Sequence, residues 1–159
     1  RLLLIGQAPS TRVHKTGIPW NDASGHRLRH WLQMPTDVFY NGSKVAIIPM
    51  GFCYPGVNTT GGDIPPRPEC APRWHPPLLA ALPNIQLTLL IGQYAQRRYL
   101  GTKRKKTLIA TVRNWRDYAP YYLPIPHPSW RNNAWVTKNP WFAEDVLPKL
   151  QEQVASLVN

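Results

Sequence analysis

Four short apolar runs divide the chain, and a residue that breaks regular structure follows each of them at once. The runs are Leu2–Ile5, Val45–Ile48, Ile85–Ile91 and Tyr121–Ile125. The breakers are Gly6, Pro49, Gly92 and Pro126. Continuous apolar runs of this length are typical of strands that a parallel sheet buries on both faces. The pattern therefore predicts four short parallel strands, each ending in a tight loop.

The segments between these runs carry apolar residues at helical spacing. Helices are predicted over Ser24–Gln33, Trp74–Leu82, Gln93–Leu100, Thr107–Tyr118 and Phe142–Val158. Ser24 is expected to cap the first of them, and Pro148 to bend the last. The stretch Pro55–Pro77 is rich in proline and glycine, which predicts an ordered functional loop. Alternating strands and helices predict one domain over residues 1–159, a three-layer α/β/α sandwich with a short four-stranded parallel sheet.

Ligands of an open parallel sheet bind beyond the carboxyl ends of its strands. The loops after the first, second and fourth runs should therefore meet at one site. These loops cover Gly6–Asp22, Pro49–Cys53 and His127–Trp130.

Charge narrows the range of partners. Nineteen Lys and Arg residues against eight Asp and Glu give a net charge of +11, which attracts polyanions and suggests a nucleic acid as the partner. A basic protein without such a partner, or one that touches acidic lipid, remains open. No apolar run approaches the roughly 18 residues of a membrane span, and no signal peptide is visible, so we expect a cytoplasmic protein without a membrane partner. The chain opens at Arg1, directly before a strand, and we expect residues upstream of it.

The predicted loops contain the parts that cleavage of a nucleoside glycosidic bond requires. Trp20 is a candidate platform for a base that has left its stack, and Asp22 is the only carboxylate in the first loop. His127, between two prolines, is a candidate donor to the departing base. Each has a structural alternative: a core tryptophan, an acid at a helix N-terminus, and a structural histidine.

Several exposed basic and aromatic residues are candidates for contact with DNA. Trp130, Arg131 and Asn132 follow the fourth strand, where a wedge could fill the gap that a flipped base leaves. Arg12, Lys15 and the basic run 103–106 are candidates for phosphate contacts, although charge runs are usually only solvated.

Two loop motifs, taken together, resemble those of the uracil-DNA glycosylase superfamily. They are Gly6-Gln7-Ala8-Pro9-Ser10 after the first strand and His127-Pro128-Ser129 after the last. Residues 16–25, which read TGIPWNDASG, are similar to the substrate loop of the iron–sulfur branches, families four and five. Residues 90–95 are similar to a strand-to-helix turn that these branches share.

The resemblance implies a base-excision DNA glycosylase that acts as a monomer. Trp20 then stacks on the flipped base, Asp22 supplies the catalytic acid, and His127 donates to the base. Gln7 stands where family four has a glutamate; an amide cannot act as a base, so that role falls on Asp22. The two motifs also assign Gly6, Ala8, Pro9 and Ser129 to the substrate, and the end of the second strand assigns Met50 to it. Trp130 and Arg131 match the part that enters the minor groove, and Asn132 is expected to contact DNA beside them.

The two cysteines, Cys53 and Cys70, match half of the ligand set of a 4Fe-4S cluster in families four and five. The other pair in those families lies upstream of the first motif. The resemblance therefore implies a cluster in a longer form of the protein and none in residues 1–159. Without the resemblance, two free thiols are the plainer interpretation.

One departure from the family pattern concerns the base. Families four and five place an asparagine at the end of the second strand to read uracil, whereas this chain has Pro49 and Met50 there. Loss of an amide changes base selectivity, which leaves deaminated purines open beside uracil. Two other functions also remain: a DNA-binding or lesion-sensing protein that has lost the chemistry, and a hydrolase of free nucleosides, which the charge of +11 disfavours.

Overall fold

Four parallel strands form one sheet in the computed structural model, which describes residues 1–158. The strands are β1 (Leu2–Ile5), β2 (Val45–Ile47), β3 (Leu87–Ile91) and β4 (Tyr122–Ile125). Their order across the sheet is β2-β1-β3-β4. Leu2 pairs with Val45 on one side and with Leu87 on the other. All four strands therefore end at the same edge of the sheet, as the apolar runs predict.

Eight α-helices connect and cover these strands within residues 1–158. They are α1 (Thr11–Thr16), α2 (Ala23–Leu32), α3 (Thr36–Phe39), α4 (Cys70–Ala80), α5 (Gln93–Leu100), α6 (Leu108–Arg113), α7 (Asn133–Lys138) and α8 (Leu147–Val158). Across the same residues, no helix is both long and apolar enough to cross a membrane.

Side-chain alternation along the strands builds a separate core on each face of the sheet. Leu2 and Leu4 pack with residues of α2, α6 and α8, in a cluster that includes Leu28 and Phe142. The intervening strand residues face α4 and α5, where Leu100 belongs to the second cluster. Helices thus cover both faces, and the predicted α/β/α sandwich is confirmed.

The buried side chain of Gln96 ties two strand ends together at the carboxyl edge. Its amide nitrogen donates to the carbonyl oxygen of Leu90 at 3.2 Å and to that of Ile125 at 2.9 Å. Because both carbonyls lie at the ends of β3 and β4, this amide fixes the point from which the loop after β4 leaves the sheet.

Several predicted boundaries are corrected by the structure. The N-cap of α2 is Asp22 rather than Ser24, because the Asp22 carboxylate accepts the Gly25 N–H. The helix expected over Trp74–Leu82 begins earlier, at Cys70, so the last part of Pro55–Pro77 is helical.

The helix expected over Thr107–Tyr118 ends at Arg113 and gives way to a 3-10 turn over Trp115–Tyr118. The terminal helix opens as a π-helical turn over Phe142–Val146, and Pro148 lies where it becomes α8. A proline there cannot donate the regular backbone bond, which fits the change of helix type. Helices α1, α3 and α7 are too short for periodicity to reveal, with 6, 4 and 6 residues.

Candidate active site

The loops after β1, β2 and β4 meet at the carboxyl edge of the sheet around a cleft of about 840 Å³. Parallel topology requires this convergence, since each of these strands ends at that edge. The predicted residues that line the cleft are Gly6, Gln7, Ala8, Pro9, Trp20, Asp22, His127, Ser129, Trp130, Arg131 and Asn132.

Asp22 joins the first loop to α2 and also lines the cleft. Its Oδ1 accepts the Gly25 N–H at 2.9 Å, and its Oδ2 accepts the Ser10 hydroxyl at 2.7 Å. Ser10 in turn caps α1, because its oxygen accepts the Val13 N–H at 3.3 Å. Asp22 therefore does cap a helix N-terminus, as the structural alternative held. Each of its carboxylate oxygens nevertheless keeps a second lone pair that can bind a ligand.

Trp20 has a left-handed backbone, with a φ of 57°. Bulky residues rarely adopt this conformation, and it costs roughly 1–3 kcal/mol unless the surroundings enforce it. The indole lies against Gly6, where a Cβ atom would come within 2.7 Å of the ring. Trp20 packs against the larger core cluster and also lines the cleft. One side of the indole is therefore that of a core tryptophan, and the other side is available as a stacking surface.

Neighbouring side chains enforce the backbone of Trp20. The Trp20 carbonyl oxygen accepts a hydrogen bond from Arg29 at 3.2 Å, and Pro19 accepts one from the Tyr40 hydroxyl at 2.8 Å. Arg29 is buried and has no acidic partner within residues 1–158. Gly25 leaves room for the same carbonyl, because a Cβ there would lie 1.6 Å from the Trp20 oxygen. We call Arg29, Tyr40 and Gly25 together the cradle of Trp20. Sequence reasoning missed Arg29, since charge in a helix is ordinarily taken as exposed.

His127 stacks beside Trp20, with ring centroids 5.6 Å apart and planes at 30°. Neither imidazole nitrogen has a hydrogen-bond partner in the described part of the chain, so both are available to a ligand. Burial lowers the pKa of His127 from its ordinary value of 6.5, and the charges of Asp22 and Asp63 partly offset this effect. The imidazole is therefore neutral at pH 7 and carries one N–H donor.

Two side chains fix the backbone of the loop after β4. The Asn132 amide donates to the His127 carbonyl oxygen at 2.6 Å. Arg27 reaches across from α2 and donates to the Ser129 carbonyl oxygen at 3.3 Å. His127 is thus presented from a rigid loop, which suits a donor that must not move during a reaction.

The tip of the same loop projects from the cleft. Trp130 is 73% exposed, and the Arg131 guanidinium lies 5.6 Å from its ring centroid. Arg131 also donates to the Gly61 carbonyl oxygen at 2.8 Å, which links this loop to the one that follows β2. Trp130 is therefore an exposed tryptophan at the mouth of the cleft, and its role as a wedge stays a prediction.

Comparison with known protein families assigns this arrangement. The model of the Uracil DNA glycosylase superfamily matches residues 1–151, which include all the loops around the cleft. The chain belongs to this superfamily. Its sequence resemblance is confirmed at that level, and the superfamily is one of DNA glycosylases. Membership of family four or five stays a prediction.

The structure corrects the prediction that Met50, at the end of β2, contacts the substrate. Met50 is buried in the core between the sheet and α4–α5, not in the cleft. The Met50 N–H donates to the Gly6 carbonyl oxygen at 2.9 Å, so parallel pairing and side-chain alternation continue past β2. Pro49 and Phe52 line the cleft instead. Neither has an amide that could read a base.

A buried histidine outside the predicted site fixes this turn. His75 from α4 hydrogen-bonds the Pro49 carbonyl oxygen at 3.0 Å and the Tyr99 hydroxyl at 2.5 Å. Burial lowers the pKa of His75, which leaves a neutral ring that donates to the carbonyl and accepts from the hydroxyl. The periodic pattern does not distinguish this histidine from the exposed ones.

The cleft lining also includes residues that were not predicted there, among them Tyr54, Asp63 and Tyr94. Asp63 lies in the stretch expected to be a functional loop, and it is one of only eight acidic residues. The scarcity of acids was the signal that could have found it.

The residues expected to bind phosphate fall into two groups. Arg12 and Lys15 are exposed on α1, whose residues Val13 and His14 line the cleft. The basic run 103–106 follows α5, and the Lys103 carbonyl oxygen accepts a hydrogen bond from the hydroxyl of Tyr118, which precedes β4. This run therefore lies at the amino edge of the sheet, away from the cleft.

The cysteines do not form a cluster site by themselves. Cys53 is exposed and Cys70 is half-buried at the start of α4, and both are free thiols. Between residues 1 and 158, no three metal-ligating side chains are grouped so that they could hold an ion. Two thiols do not complete the four-thiolate set of an iron–sulfur cluster. The cluster stays a prediction for a chain that supplies further ligands.

Replacing Gly25 with alanine tests the cradle of Trp20. Alanine is intrinsically better than glycine in a helix by about 1 kcal/mol, but its Cβ would collide with the Trp20 carbonyl. We expect Gly25→Ala to lower the free energy of unfolding by about 1–3 kcal/mol in urea denaturation. Gly42→Ala is the matched control, because a Cβ at Gly42 meets nothing within 4 Å. Equal effects of the two substitutions would contradict the cradle.

The titration of His127 tests the electrostatics of the cleft. Its imidazole should titrate with a midpoint below 6.5, measured by NMR of the ring protons. Asp22→Asn should lower the midpoint further, because the Asp22 charge favours the imidazolium. Asp37→Asn, an exposed change on α3, should leave the midpoint as it is. A midpoint that rises in the Asp22 variant would refute this arrangement of charges.

Proposed function

We propose that this chain is a monofunctional DNA glycosylase that hydrolyses the N-glycosidic bond of uracil or a related deaminated base flipped out of DNA. The observation that carries this proposal is the meeting of Trp20, Asp22 and His127 in one cleft. Each supplies a different part of the chemistry: a stacking surface, a carboxylate and a neutral donor. The net charge of +11 matches a polyanionic substrate.

The spacing of Trp20 and His127 indicates how a base would lie. A base sandwiched between two rings needs about 7 Å between them, two contacts of roughly 3.5 Å. The observed 5.6 Å is too small for that. The base therefore stacks on the free part of the indole and turns its edge toward the imidazole. This pose places a carbonyl oxygen of the base within reach of the His127 N–H.

The reaction itself is a displacement by water. The bond between C1′ of the sugar and the base nitrogen breaks, and the electron pair leaves with the base. The His127 N–H stabilises the negative charge that develops on the base. Asp22 stabilises the positive charge at C1′ and orients the water, whose oxygen forms the new bond to C1′. The proton released from the water balances the charge of the departing base.

The surface around the cleft suits DNA. Trp130 fills the gap left by the extruded base, and Arg131 and Asn132 follow it into the minor groove. Arg12 and Lys15 contact the phosphates from α1. Within residues 1–158, the cleft lining contains no lysine for a Schiff base, which supports simple hydrolysis.

A second candidate function is a DNA-binding or lesion-sensing protein of the same fold. Two observations favour it: Gln7 cannot act as a base, and the turn after β2 presents Pro49 and Phe52 in place of an amide. Against it, a protein that only binds DNA has no use for a carboxylate beside a neutral histidine in the cleft. Catalysis is therefore the function that these residues support best.

Asp22→Asn is the sharpest test of the proposed reaction. Asparagine caps a helix as well as aspartate does, so α2 should stay intact while the charge is lost. We expect single-turnover base release from labelled duplex DNA to slow at least tenfold, with DNA affinity unchanged or slightly higher. The substrates are duplexes that carry uracil, hypoxanthine or xanthine.

Asp37→Asn provides the control for this experiment, because it makes the same change of charge on α3, outside the cleft. Its rates should equal those of the natural chain. If the Asp22 variant releases base at the natural rate, Asp22 has no part in the reaction. If the natural chain releases no base but binds DNA in a salt-sensitive manner, the binding function replaces catalysis.

A further inference from the structure

A second carboxylate lines the cleft and has no part in the reaction proposed above. Four of the chain's acidic residues form surface salt bridges: Glu69, Asp117, Asp145 and Glu152. The other four form none in the described part of the chain: Asp37 and Glu144 outside the cleft, and Asp22 and Asp63 within it. The cleft therefore holds two carboxylates without a cationic partner in a strongly basic protein.

The two cleft carboxylates differ in how the protein uses them. Both oxygens of Asp22 accept hydrogen bonds, from Gly25 and from Ser10. The Asp63 carboxylate accepts none from residues 1–158, and its side chain is solvent-exposed within the cleft. Asp63 is therefore the carboxylate whose full hydrogen-bonding capacity is free for a ligand.

A closed turn holds Asp63 in place. Its backbone bridges to Val57, and the side-chain oxygen of Asn58 accepts the N–H of Gly62 at 2.7 Å. The Gly61 carbonyl oxygen accepts a hydrogen bond from Arg131 of the loop after β4. The Asp63 backbone is thus fixed relative to both loops, and the negative charge of Asp63 acts on His127.

This carboxylate lies in a cleft that lacks an amide at the end of β2. An amide donates and accepts, so it can pair with a carbonyl and an N–H on the edge of a base. A carboxylate only accepts, so it binds an N–H and repels a carbonyl oxygen. A carboxylate that reads the base therefore favours a different edge from the one an amide favours.

We propose that Asp63 determines base specificity by accepting an N–H from the edge of the extruded base. The N1–H of hypoxanthine has a carbonyl on one side and a C–H on the other, whereas the N3–H of uracil lies between two carbonyls. Asp63 thus favours hypoxanthine over uracil. This inference rests on the proposed glycosylase function, which it narrows to a substrate class.

The test compares base release from duplexes that carry hypoxanthine, xanthine or uracil, measured in single turnover. The N1–H of xanthine lies between two carbonyls, so xanthine separates the effect of the edge from that of purine size. The natural chain should release hypoxanthine at least tenfold faster than either other base. Asp63→Asn restores an amide, which can donate to a carbonyl, and should lower the hypoxanthine-to-uracil ratio at least tenfold. The exposed position of Asp63 lets this variant fold.

Asp37→Asn is again the charge-matched control and should keep the natural ratio. If Asp63→Asn keeps that ratio too, or if the natural chain does not prefer hypoxanthine, the assignment of Asp63 is overturned while the glycosylase function stands. If the natural chain releases none of the three bases, the proposed function fails, and the role of Asp63 fails with it.

Discussion

The cleft depends on one constraint, the parallel pairing of four short strands that are buried on both faces. Parallel strands end at the same edge, so loops far apart in the chain meet there. Leu2 to Ile5 are nearly inaccessible to solvent, because a helix layer covers each face of the sheet. A shift of β1 by one residue would move every side chain to the other face, so its register is fixed. Gln96 then ties β3 to β4 at that edge, where the loop with His127 begins.

A second constraint acts inside the cleft. Trp20 adopts a rare left-handed backbone because Gly25 leaves room for its carbonyl and Arg29 binds that carbonyl. Burying an arginine without an acid is costly, and here a backbone carbonyl together with the faces of Phe39 and Tyr40 offsets part of the cost. The strained backbone and the buried charge lower the stability of the fold while they fix the position of the Trp20 ring, which is typical of functional sites. The same ring contacts Gly6, just after β1, and stacks beside His127. Trp20 therefore joins the loops that follow β1 and β4.

The sequence predicted the sheet, its edge and most of the cleft, because apolar runs and loop motifs depend on local order along the chain. It did not predict Arg29, His75 or Asp63, since their partners lie in other elements and no periodic signal links them. Met50 was expected in the cleft and lies in the core, because pairing continues beyond β2 and fixes its face. The basic run 103–106 looked like a phosphate site, but the direction of α5 carries it to the opposite edge.

The proposed function depends on where the base of bound DNA lies relative to Trp20, Asp22 and His127. The direct measurement is the crystal structure of the protein with a duplex that carries a 2′-fluoro nucleotide, whose electron-withdrawing fluorine slows cleavage. We predict a base outside the helix, stacked on Trp20, with its edge at His127 and its C1′ facing Asp22. A base still paired in the duplex, or DNA bound along the amino edge near residues 103–106, would contradict the account.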